Sequence, residues 1–92
     1  MPTRRVVIYS KQNCGLCEEA RRVVENVRER VPFELSVVDI TTLSHELLLR
    51  FRYDIPVISV DGVERFKHRV DEQAFEAFVR GTSVAETDPG SE

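Results

Sequence analysis

Apolar residues recur along this chain in two rhythms, short continuous runs and stripes with helical spacing, and the two alternate. Residues 5–10, RVVIYS, form a β-branched and aromatic run, as expected of a strand buried on both faces inside a partly parallel sheet. From Leu16 onward the apolar positions are Leu16, Ala20, Val23, Val24, Val27 and Val31. That spacing is one stripe of a helix, which Pro32 closes. The opposite side carries Glu18, Glu19, Arg21, Arg22, Glu25, Arg28 and Glu29, most simply a solvated face, with Glu18 and Arg22 spaced as a favourable i,i+4 pair.

Residues 33–40, FELSVVDI, read as a second strand. Strand, helix and strand in this order make a βαβ unit with a right-handed crossover, so the two strands should pair in parallel. Thr42 and Ser44 are N-cap candidates for a shorter helix marked by Leu43, Leu47, Leu48 and Phe51, which must end before the Ile55-Pro56 step. Residues 57–60, VISV, are a third strand. Asp61-Gly62 is a strong type I′ hairpin signal leading to a fourth strand over 63–67. Asp71 is placed to cap a last helix with Ala74, Phe75, Phe78 and Val79 inward and Gly81 at its end. One domain over residues 1–80 is expected, and the polar, acidic stretch 81–92 should be disordered.

Charge changes this picture little. The chain of 92 residues has 13 basic and 16 acidic side chains, for a net charge of −3. The excess comes from Glu86, Asp88 and Glu92, all beyond Arg80, so the body is neutral. A neutral body without a basic stripe argues against nucleic acid as a partner. Arg4 and Arg5 precede an apolar run too short for a secretory h-region, and no small-residue cleavage site follows. A cytoplasmic location without membrane attachment is the expectation, with a monomer as the simplest state.

The two cysteines change the picture most. Cys14 and Cys17 stand between the first strand and the first helix. If the helix starts near Cys14, both sulfurs lie on the same side one turn apart, Cys14 at the mouth and Cys17 beside the buried Ala20 and Val24. The unsatisfied N–H groups and positive dipole end of a helix favour an anion, so they should stabilise the Cys14 thiolate. Lys11 adds positive charge, while Glu18 and Glu19 act the other way. The chemistry inferred has Cys14 attacking a substrate disulfide and Cys17 then attacking the Cys14 sulfur to release the reduced product.

Three other readings compete. A structural disulfide across so short a loop gains little and would sit in a reducing compartment. A zinc or iron–sulfur site needs about four ligands, and the only extra nitrogen candidates, His45 and His68, form no second paired motif; an intersubunit cluster is its most plausible form. The third is a binding domain with incidental thiols. No metal ligands are assigned.

Together, YSKQNCGLCEEA, the YDIPV step and the VDG hairpin make residues 4–80 resemble a glutaredoxin-like protein of the thioredoxin-fold superfamily. The resemblance implies an α/β thioredoxin-like fold, a four-stranded mixed sheet in the order 2-1-3-4, βαβ then ββα, with the last two strands antiparallel to the first two and three helices on its faces. It implies a cis Ile55-Pro56 bond beside the cysteines, with Ile55 turning its backbone N–H and C=O toward the site, where an extended thiol-bearing peptide could pair.

The resemblance also implies Cys14 and Cys17 as catalytic residues and Lys11, Ile55, Pro56 and Asp71 as substrate-binding residues. Lys11 matches a contact to a glutathione carboxylate and Asp71 the acidic residue that holds the glutathione amino end. Glutathione is thus implied as a co-substrate, with no tightly bound cofactor. The partners would be a disulfide-bearing protein or a glutathione mixed disulfide, and a reducing system, either glutathione or a reductase. This sequence departs from the family at Gly15-Leu16, where glutaredoxins usually have Pro-Tyr, and at Lys67-His68, where they have Gly-Gly. A thioredoxin-like reductant of a dedicated protein partner, without glutathione, and a non-catalytic metal or cluster module remain the alternatives.

Overall fold

The computed structural model describes residues 3–81, so the disordered tail expected past Gly81 lies outside the described residues. The chain runs β1 (Arg5–Ser10), α1 (Gly15–Arg28), β2 (Glu34–Asp39), a short 3-10 turn (Ile40–Thr42), α2 (His45–Phe51), β3 (Val57–Val60), β4 (Val63–Lys67) and α3 (Glu72–Arg80). The sheet order is β2-β1-β3-β4. β1 and β2 pair in parallel, Arg5 opposite Glu34 and Ser10 opposite Asp39.

Strand directions correct one detail of the implied topology. β3 runs antiparallel to β1 and β4 antiparallel to β3, so β4 points along β1 rather than against it. The cause is the two-residue hairpin: Asp61 at φ 53° and Gly62 at φ 86° both take the left-handed backbone of a type I′ turn and reverse the chain. Arg5 N–H and Arg4 bond the Asp61 carboxylate at 2.9 and 2.6 Å, tying that turn to the start of β1.

The core divides across the sheet. Val6 and Ile8 of β1, Ile58 and Val60 of β3, Ala20, Val24 and Val27 of α1, and Phe75 and Val79 of α3 form one buried cluster. Cys17, Ile40, Phe51, Ile55 and Val57 form a second, against which Tyr9, Cys14, Leu43 and Leu48 pack. Within β1, Val6 and Ile8 are buried, Val7, Tyr9 and Ser10 half-buried and Arg5 exposed, so the strand is not buried on both faces; the short α2 cannot cover the whole second face. β3 is the strand buried at every position.

The helical stripe is also shorter than its spacing predicts. α1 ends at Arg28, and Val31 is buried from the turn beyond it, where its N–H still reaches the Val27 carbonyl at 2.9 Å. Leu16, the first residue of the stripe, is exposed, while Cys17 takes the inward place. On the outer face the ion pair formed is Arg21 with Glu25 at 3.0 Å, not Glu18 with Arg22. Of the two cap candidates for α2, Ser44 serves, accepting from Leu47 N–H at 3.3 Å. Asp71 caps α3 by accepting from Ala74 N–H at 3.1 Å, and Gly81 ends it with φ 74°.

Candidate functional site

Local backbone chemistry aims the cysteines. Asn13, at φ 58°, takes a left-handed turn that Asn tolerates better than most residues, and it delivers Cys14 to the N-cap of α1 in extended conformation. There the Cys14 sulfur accepts the Cys17 N–H at 3.2 Å and its carbonyl accepts Glu18 N–H at 3.1 Å. A sulfur in this position meets both an aimed donor and the positive end of a 14-residue helix, the setting in which a thiolate is stabilised.

Cys14 and Cys17 are joined as a disulfide with Cα atoms 5.2 Å apart, within the ordinary span. Cys14 is half-buried and Cys17 is 4% exposed. Only the outer sulfur is open to attack. Beneath them Tyr9 and Phe51 stack face to face, centroids 4.5 Å apart, which gives the pair an aromatic floor.

The remaining candidates divide around this pair. Lys11 and Cys17 line one pocket of about 280 Å3 together with Ser10, Arg21 and Asp39. The Thr41 hydroxyl and then the Thr41 N–H hold the Asp39 carboxyl below its usual range, so one wall of the pocket keeps a carboxylate. On the other side, Ile55 is buried in the cysteine cluster and Pro56 follows it through a cis bond.

Ile55 corrects part of the expectation, because its N–H is already used, donating to the Phe51 carbonyl at 3.1 Å in the last turn after α2. Only its carbonyl side is left to pair with an incoming strand. Asp71 is not part of the cysteine cluster. Its carboxylate caps α3, and the contacts flanking it, Arg69 to Glu19 at 3.5 Å and Asn26 to Glu72 at 3.0 Å, set the start of α3 against the middle of α1.

Sequence reasoning passed over the role of His68. Its N–H donates to the Pro56 carbonyl at 2.8 Å and its imidazole Nε2 meets the Tyr53 carbonyl at 2.9 Å. Lys67 beside it lies 3.9 Å from Asp54. Where the family resemblance places glycines, two long side chains therefore turn onto the segment before Pro56. His68 has φ 69°, a value a glycine would take without strain, so the backbone kept the shape that the side chain disguised. Among the described residues, no group of three or more His, Cys, Asp or Glu is placed to hold a metal ion, and no helix is long and apolar enough to cross a membrane.

Comparison with known proteins agrees with this geometry. The glutaredoxin-like domain family (DUF836) matches residues 5–80. A Nitrosomonas europaea protein solved by solution NMR is 26% identical, superposes with a TM-score of 0.72, and the match covers 86% of this chain and 94% of that one. A mutant thioredoxin from Halobacterium salinarum, 17% identical, gives a TM-score of 0.64 over 85% of this chain and 73% of that one. Fasciola hepatica thioredoxin, 21% identical, gives 0.56 over 86% and 80%. The two thioredoxins speak for the fold alone.

Proposed function

The chain belongs to the glutaredoxin-like domain family, and we propose that within it the protein is a dithiol thiol–disulfide oxidoreductase that reduces protein or glutathione mixed disulfides. The observation that carries this reading is the asymmetry of the pair: Cys14, at the helix N-cap, accepts a hydrogen bond and stays half-open, while Cys17 is buried behind it.

In the reduced protein the Cys14 thiolate attacks one sulfur of the substrate disulfide. The Cys14–substrate bond forms as the substrate S–S bond breaks, and the departing thiolate takes up a proton. Cys17 then loses its proton and attacks the Cys14 sulfur, releasing the second substrate thiolate, which is protonated in turn. Two electrons and two protons have passed to the substrate, and the protein holds the Cys14–Cys17 disulfide. Two thiols of a reductant, glutathione or a reductase dithiol, reverse the change. Such chemistry suits the reducing cytosol.

Lys67 and His68, standing where glycines would leave room, favour a second reading in which a dedicated protein disulfide, rather than glutathione, is the substrate. Trapping separates the two. Reduced Cys17→Ser protein, incubated with a glutathionylated peptide, should accumulate a glutathione adduct on Cys14, and Cys14→Ser should accumulate none. An adduct carrying the peptide instead of glutathione supports the protein-substrate reading. If Cys14 acquires neither, both readings fail.

A further inference from the structure

His68 is the residue whose backbone the fold has most reason to avoid. Arg69 N–H bonds the Lys67 carbonyl at 2.8 Å across it, and with φ 69° this is a γ-turn of the rare, strained, positive-φ kind. A non-glycine residue persists in such a conformation only when its surroundings over-determine it, and such residues cluster at functional sites. Here the surroundings are two carbonyls of a single segment. The His68 N–H extends the β3–β4 ladder by one rung to Pro56, and the imidazole reaches back to Tyr53.

A carbonyl oxygen only accepts, so Nε2 must carry a hydrogen. Both the Nε2–H neutral tautomer and the imidazolium meet that condition, and the contact does not depend on protonation. The clasped segment, Tyr53 to Pro56, contains Ile55, which packs in the same cluster as Cys14 and Cys17. Its remaining backbone acceptor is the edge an incoming disulfide peptide would meet. Held by His68 at both Tyr53 and Pro56, the segment presents that edge in one place beside Cys14; released at Tyr53, it keeps the Pro56 rung and the Asp54 and Ile55 N–H bonds to the Phe51 carbonyl but loses the tie at its start.

We propose that His68 is a positioning residue that fixes the Tyr53–Pro56 segment beside Cys14 and so speeds attack on a bound disulfide. The inference rests on the thiol–disulfide reading above. It concerns the side chain: leucine at position 68 keeps the bulk and the backbone demand without a donor, whereas glutamine keeps a donor of similar reach.

The test uses reduced Cys17→Ser protein as the parent, with His68→Leu and His68→Gln added separately, at a temperature where circular dichroism shows all three folded. The rate of mixed-disulfide formation with oxidised glutathione should fall about fivefold for His68→Leu, the loss expected of one hydrogen bond, and should be restored in His68→Gln. Alkylation by iodoacetamide, a small electrophile that needs no backbone edge, should be equal in all three. An unchanged rate in His68→Leu overturns the proposal, as does an equal slowing toward iodoacetamide, which would mean a general disturbance of Cys14. A glutamine variant as slow as the leucine variant overturns it as well. If the parent forms no mixed disulfide with oxidised glutathione, the same rates are read with a disulfide-bearing peptide, and a parent inert toward both sinks the redox reading and the proposal with it.

Discussion

In the Cys14–Cys17 disulfide the amide N–H of Cys17 points at the sulfur of Cys14 from 3.2 Å, a donor placed to stabilise the Cys14 thiolate once that bond opens. This arrangement predicts unequal thiols. In the reduced protein, a limiting amount of iodoacetamide should modify Cys14 before Cys17, by a factor of about ten or more, because the outer sulfur combines thiolate character with access. Peptide mapping by mass spectrometry reads the ratio; equal labelling would contradict the assignment of roles.

Two aromatic substitutions should separate stability from exchange. Phe51 and Phe75 are 4% and 0% exposed, and replacing either by alanine should cost about 3 to 5 kcal/mol in denaturant unfolding, a large share of the roughly 5 to 15 kcal/mol of a domain this size. Phe51 belongs to the cysteine cluster and stacks on Tyr9; Phe75 packs edge-on against Phe33 and Phe66 in the other. Measured cold, where both remain folded, Phe51→Ala should slow thiol–disulfide exchange and Phe75→Ala should leave it unchanged.

The hairpin lock should give part of the stability an acid dependence. The Arg4 guanidinium first, and then the Arg5 N–H, hold the Asp61 carboxyl below its ordinary range. A carboxyl depressed in the folded state contributes stability above its unfolded pKa and loses it as the pH falls through the folded one. The melting temperature of Asp61→Asn, a substitution compatible with φ 53°, should therefore trail that of the native protein near neutrality. The two should converge as the pH drops below about 4. Solvent screening of this half-exposed pair limits the difference to about 1 kcal/mol. A gap that widened in acid would refute the assignment.

Glycine substitutions should differ in sign. A Cβ at Gly15 would meet open space, and Gly15 lies inside α1, so Gly15→Ala should leave stability unchanged or raise it by up to about 1 kcal/mol. Gly62 is equally open but has φ 86°; Gly62→Ala should cost about 1 kcal/mol or more. Thermal unfolding of the two variants checks the contrast.

Much of this molecule could be read from the chain because local chemistry and global packing agree. The Asp61-Gly62 turn, the Asp71 cap and the Gly81 stop each follow from a residue whose local preference matches its place. What escaped depends on partners distant in sequence. Val31 is buried after its helix has ended because it joins the core cluster that α1 shares with β1, β3 and α3, which helical spacing alone cannot reveal. The Ile55 N–H is taken by Phe51, a consequence of how α2 ends. His68 clasps Tyr53 from 15 positions away, and a histidine in a stretch of charged residues gives no hint of a positive φ. A hint lies in the Gly-Gly that the resemblance to glutaredoxins implies where this sequence has Lys67-His68.

The central claim is that Cys14 and Cys17 form a reversible dithiol centre, and the most direct measurement is its equilibrium with glutathione. The protein would be held in a graded series of reduced and oxidised glutathione buffers, quenched with acid and weighed intact. The account predicts a reversible loss of two hydrogens, with a midpoint in roughly the −200 to −270 mV range that glutaredoxins and thioredoxins span, and a glutathione adduct on Cys14 if glutathione is the co-substrate. A mass that never changes across the series would contradict it.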